Sequence, residues 1–366
     1  MEKRDSRIDI ARLVAYACLI IVHYILRIGF YDRHVDGIKW LLLCSIRYIG
    51  TCCIPLFLII TGYLVGDKPY KKGYYKKITH TLAIYVLVSV IFQLYYLHLE
   101  HESITMYSFF KKLLSYEGTP YSWYVELYIG LFLLSPFLSR MYQALNEKEK
   151  RGLIITLLAL TALPSLTNVY VFNLSIWWSH PRNDLDYFKF VPEWWVFLYP
   201  LTYYFIGCRM KEKQPRVNKF FAGCVIIVLA FLFGLYSFWR SRWARYVAGE
   251  WQDWGSWMNL LLSVLIFLFI LSMKEISNLK VKRCLKVLSD AVFGAYLLSW
   301  IPETYFYNMI INNTPDIMRR FEYYPITILV YITALGMSIC LNLGYDVTLK
   351  ICRVLREHAS EKKEKT

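Results

Sequence analysis

The chain of 366 residues is 57% hydrophobic and only 19% charged, with a mean hydropathy of +0.35. That composition excludes an ordinary soluble domain, because apolar runs near the roughly 20 residues that cross a bilayer recur along its whole length. The net charge of +15 is first of all a topology signal, and it calls for no nucleic-acid partner.

In chain order the apolar runs fall at about 8–28, 40–65, 78–97, 123–145, 152–171, 194–208, 220–239, 257–273, 291–311 and 325–347. The expected fold is therefore an all-α polytopic membrane protein of about ten transmembrane helices. An even number puts both termini on one side. The termini and the loops alternating with them hold 28 of the 42 Lys and Arg, so that side is expected to be cytoplasmic. Residues 1–350 read as one transmembrane domain and 351–366 as a charged cytoplasmic tail. The first run is long and lacks a small-residue cleavage pattern, which predicts a retained helix. The nine cysteines avoid the external loops, so neither a disulfide framework nor a metal site is expected.

The first span, "DIARLVAYACLIIVHYILRIGF", carries the polar residues that most need a reason. Arg12 and His23 lie eleven residues apart, which on a helix is about 20° in azimuth and about 16 Å in depth. Asp9 lies on nearly the same face as Arg12 and can pair with it. One polar stripe thus runs from the inner edge to beyond the midplane, which suits a reaction whose substrates come from opposite sides. Arg12 alone reads equally as a cation snorkelling at a helix end. His23 is either a helix-to-helix hydrogen bond or a general base.

After the second span, Lys68, Lys71, Lys72, Lys76 and Lys77 crowd the cytoplasmic mouth. Positive-inside charge accounts for the first three. Lys76 and Lys77 open the third helix, where cations oppose the macrodipole unless an anion such as phosphate binds there. The fourth span begins with Trp123, Glu126 and Tyr128. Glu126 reads either as a partner at the outer end of the His23 stripe or as a carboxylate paired with Arg47. Tyr296, Glu303 and Asn308 on the ninth span are weaker candidates of the same kind. Tryptophans gather at the outer loops, among them Trp177, Trp178, Trp194, Trp195, Trp239, Trp243, Trp251, Trp254 and Trp257, either as an aromatic belt or as platforms for sugar rings.

These features together resemble the acyltransferase 3 family of membrane O-acyltransferases. The resemblance is carried by the Asp9, Arg12 and His23 spacing, "PLFLIITGYLVGDK" closing the second span, "YYKKI" opening the third, "WYVELYIGLFLLSP" in the fourth and "LSDAVFGAYLLSW" in the ninth. It implies a ten-helix, multi-pass enzyme of the bacterial cytoplasmic membrane. Such an enzyme takes an acyl group, by default acetyl, from cytoplasmic acyl-CoA to a hydroxyl of a surface polysaccharide or its lipid-linked precursor, and uses no metal. His23 takes the position of the family's essential histidine and Arg12 that of its partner. Lys76 and Lys77 fall where many members have an arginine-rich motif associated with the donor, so Arg12, Lys76, Lys77 and Asp9 are the expected donor-binding set. Trp123, Glu126 and Tyr128 are the candidates for the acceptor. Three departures stand out: lysine replaces arginine, which loses bidentate phosphate binding; Ser299 stands where a histidine is expected; and Tyr128 stands where one large branch has Glu. The absence of an appended hydrolase-like domain implies transfer within the helices. The competing expectation is a transporter or flippase for an anionic glycan or lipid, with His23 as a proton relay.

Overall fold

The computed structural model describes residues 4–68, 73–99, 105–181, 187–242 and 244–364. Lys71, Lys72 and Trp243, with part of each longer external segment, lie outside them. Among the described residues every regular element is helical. In order these are α1 (Ser6–Arg27), α2 (Gly37–Thr51), α3 (Cys53–Val65), α4 (Ile78–Leu99), α5 (Met106–Leu114), α6 (Trp123–Ala144), α7 (Glu147–Thr161) and α8 (Pro164–Thr167). The second half continues with α9 (Ser175–Ser179), α10 (Tyr199–Lys213), α11 (Lys219–Ser241), α12 (Trp257–Leu271), α13 (Leu279–Leu298), α14 (Trp300–Asn313), α15 (Ile317–Arg320) and α16 (Ile326–Glu364).

Among the described residues six segments are long and apolar enough to cross a membrane, and they match the first, second, third, seventh, eighth and tenth predicted spans. The bent pair of α13 and α14 raises the number to seven. The fifth and sixth predicted spans, 152–171 and 194–208, contain helices of 15 residues each, α7 and α10. α7 ends at Thr161 and α8 begins at Pro164, whose ring suits the first turn of a new helix.

The ninth span is the main departure from the expected layout. Instead of one helix over 291–311, α13 and α14 meet at Ser299 with a bend of 61°. Pro302 explains the break: it has no N–H to give the Leu298 carbonyl four residues back, and its ring crowds that carbonyl. Pro136 in α6 frees the Phe132 carbonyl in the same way. The Tyr74 hydroxyl donates to that carbonyl at 3.2 Å, and the two rings stack at 4.6 Å. The 3-10 turn Tyr74–Lys77, which leads into α4, is thereby anchored to α6.

α1 occupies the middle of the bundle, packed against α2, α3, α12, α13, α14 and α16. Its N-cap Asp5 accepts from the Arg7 backbone N–H at 2.9 Å. α3 and α10 approach each other closely because both present glycine. A Cβ on Gly62 would stand 1.9 Å from the Tyr204 carbonyl oxygen, and one on Gly207 2.2 Å from that of Ile59. Small residues at such crossings let apolar helices gain dispersion contact where no hydrophobic force drives them together.

Candidate active site

Residues 23 and 27 share one face of α1, four apart, and residues 300, 303, 304 and 307 share one face of α14 at spacings of three and four. The break at Ser299 turns that face of α14 toward the end of α1. His23 Nδ1 lies 2.8 Å from Glu303 Oε1, and the Glu303 side chain is fully buried. Tyr121, in the turn before α6, donates its hydroxyl to Glu303 Oε2 and stacks its ring on His23 with centroids 4.1 Å apart. Arg27 Nη1 stands 3.5 Å from Glu303 Oε2, while Nη2 donates to Thr304 Oγ1 at 2.8 Å. Glu303 lies in the first turn of α14, where the helix dipole favours a carboxylate.

The carboxylate is therefore surrounded by donors. An ionised carboxylate is acceptor-only, so Nδ1 is the donor in this contact, and in a neutral imidazole that puts the lone pair on Nε2. A carboxylate holding an imidazole in this tautomer is the arrangement by which an enzyme prepares a general base.

A cavity of about 530 Å³ lies beside the N-terminal half of α1, within the ordinary size range of small-molecule sites. Arg12, His80, Asp290 and Asp346 line its polar end, and Leu19, Ile54, Phe57 and Tyr128 its length. It closes at Tyr124 and Tyr296. The Tyr296 hydroxyl bonds the backbone oxygen of Tyr121, so the cavity stops one layer short of His23.

Of the expected set, the structure brings Arg12 and Tyr128 into this cavity, with His23 in line beyond it. Asp9 is held chiefly by Arg4, at 2.6 Å, and sits 3.9 Å from Arg12. Arg12 donates to Ser289 at 3.3 Å. Arg4 also pairs with Asp290 at 2.7 Å, which offsets that carboxylate at the cavity rim. Lys76 and Lys77 are exposed and do not line the cavity; His80, one turn further along, does. Glu126 is exposed and makes neither expected pairing, since His23 is bonded to Glu303, and Arg47 to Tyr31 at 2.8 Å and Gln252 at 2.6 Å. Trp123 stacks on Trp254 at 4.6 Å. Ser299 caps the break and bonds the Tyr296 carbonyl, so it serves structure where the resemblance led to a histidine. Trp177 and Trp251 are buried over the Arg240 guanidinium, at 4.8 and 3.8 Å, which assigns these two rings to packing rather than to a belt or a sugar platform.

Sequence reasoning gave Glu303 little weight and missed Arg27 and Tyr121 as site residues. Pro302 was the available signal, because it marks the break that brings Glu303 to His23.

The sequence model of the acyltransferase 3 family, an acyltransferase domain, matches residues 5–344. The chain belongs to that family. It is a multi-pass membrane acyltransferase, and the match takes in α1 to α15 and most of the apolar length of α16. No curated protein and no solved structure matches it. In this acyltransferase the polar centre and the cavity are both built around α1, from helices spread over nearly the whole matched length.

Proposed function

We propose that this acyltransferase moves an acyl group, by preference acetyl, from cytoplasmic acyl-CoA to a hydroxyl of a surface polysaccharide or its lipid-linked precursor. It does so as a ten-helix protein of the bacterial cytoplasmic membrane with both termini inside. The observation that carries this proposal is the buried Glu303 carboxylate 2.8 Å from His23, one layer beyond a cavity that opens among charged groups at the opposite end of α1.

In this mechanism the CoA diphosphate rests near Arg12 and His80, with Lys76 and Lys77 beyond the rim. Arg12 is tied to one hydroxyl, Ser289, and keeps donors for a phosphate. The cavity accepts the pantetheine arm, and the acyl end displaces Tyr124 or Tyr296 to reach His23. The acceptor hydroxyl comes from the other face, where Tyr121 precedes α6 and Trp123 begins it. His23 Nε2 takes the hydroxyl proton while the oxygen attacks the thioester carbon. The C–O bond forms, the C–S bond breaks, and the departing thiolate takes the proton back from His23.

The test compares surface glycan from cells with the protein, cells without it, and cells carrying His23→Gln at matched expression, scoring base-labile acetyl esters by mass spectrometry. Loss of one class of ester in both the deletion and His23→Gln cells supports the proposal and identifies the acceptor. Unchanged esters with a glycan missing from the surface would replace it with transport.

A further inference from the structure

A fully buried carboxylate needs a cation close by, and Glu303 has two within reach, His23 and Arg27. Only one unit of charge has to be balanced. If the imidazole supplies it, His23 is protonated at rest and has no lone pair for an incoming hydroxyl. If the guanidinium supplies it, His23 stays neutral.

The geometry points to Arg27 as the counter-charge of Glu303, a positioning residue that keeps His23 neutral and ready to accept a proton; the inference rests on the base role proposed above. The guanidinium is held at three points along one face of α14. Its Cζ lies over the Trp300 ring at 5.4 Å, Nη2 bonds Thr304, and Nη1 is 3.5 Å from Glu303 Oε2. Nη1 is buried, and the ion-pair partner it faces is the Glu303 carboxylate. Arginine stays charged at any working pH, whereas a histidine in the same position would release the pair as the pH rises.

The titratable groups around the pair are few. Glu303 and Arg27 are its charged members, and the phenols of Tyr16, Tyr24, Tyr121, Tyr296 and Tyr307 surround them. Arg47 on neighbouring α2 is turned to Tyr31 and Gln252. Among the described residues, Arg27 is thus the permanent cation placed to neutralise Glu303.

The experiment is a pH–rate profile of acyl transfer by the full-length protein in membranes, for wild type, Arg27→Gln, Arg27→Lys and Thr304→Val. Removing a positive charge beside the pair favours the protonated imidazole, so the acid limb of Arg27→Gln should move up by about one pH unit or more. That variant should be at least about tenfold slow at pH 7 and recover near pH 9. Arg27→Lys should keep the wild-type limb even with a lower ceiling. Thr304→Val, a milder change that loosens Nη2, should shift the limb in the same direction by less, and it carries the test if Arg27→Gln does not accumulate. Rates that fall equally at every pH in Arg27→Gln and Thr304→Val would make Arg27 a packing residue and overturn the inference. Absence of transfer by the wild type at any pH would instead overturn the proposed function.

Discussion

At the scale of single residues, Glu303 decides what His23 can do. A glutamine there fills the same space, but its amide can turn to donate to Nδ1, which would leave the imidazole with its proton on the wrong nitrogen. Glu303→Gln is therefore expected to slow transfer by about 100-fold or more while protein levels stay normal. Glu126→Gln, a substitution of the same chemistry at an exposed position, should stay within about twofold of wild type. Initial rates with matched membrane preparations check both. His23 was legible in the sequence because an imidazole deep in an apolar run demands an explanation. Its partner was legible only as one weaker candidate among three on the ninth span. Glu303 and His23 are 280 residues apart, and periodicity within one helix carries no information about which face of another helix it meets. Tyr121 lies in a turn outside any periodic pattern and was harder still to find.

At the scale of elements, close packing of α3 on α10 sets the wall behind the cavity. Ile60, Thr61 and Leu64 of α3 line the cavity, while Gly62 of the same helix faces α10. A side chain at Gly207 would meet backbone, which cannot swing aside as the tip of a flexible chain does. Gly207→Leu is expected to lower stability by about 1–3 kcal/mol or to prevent accumulation. Gly336→Leu, at a site with nothing within 4 Å of the added carbon, should have little effect. Thermal unfolding of the two variants in detergent makes the comparison. Hydropathy located most of the long helices because each carries its own apolar signal over 20 or more residues. It failed at the ninth span because apolar character persists across the break: "LLSWIP" reads as continuous hydrocarbon while Pro302 removes the hydrogen bond that continuity requires.

At the scale of the whole molecule, the basic residues lie on alternate connections, with 28 of the 42 in the set that includes both termini. The proposed orientation makes a definite prediction. A fluorescent reporter joined after Thr366 should light up in the cytoplasm, and alkaline phosphatase at the same point should be inactive; the opposite pair of results would invert the assignment of both substrates. The general class was legible from composition alone, since no soluble fold accommodates this much apolar surface. The path through the molecule was not, because a cavity is made by helices distant in sequence and its floor by Tyr124 and Tyr296, with Tyr121 behind them.

Those tyrosines have a consequence for the cell as well as for the reaction. A helix with polar groups at both ends invites a file of water from one compartment to the other, and with it an electrical short circuit. The rings of Tyr121 and Tyr296 stack across that line and Tyr124 meets Tyr296 edge-on, with the first two joined by a hydrogen bond from the Tyr296 hydroxyl to the Tyr121 backbone. In the proposed two-sided mechanism, such a layer would let the protein be made in quantity without draining the proton gradient across the membrane.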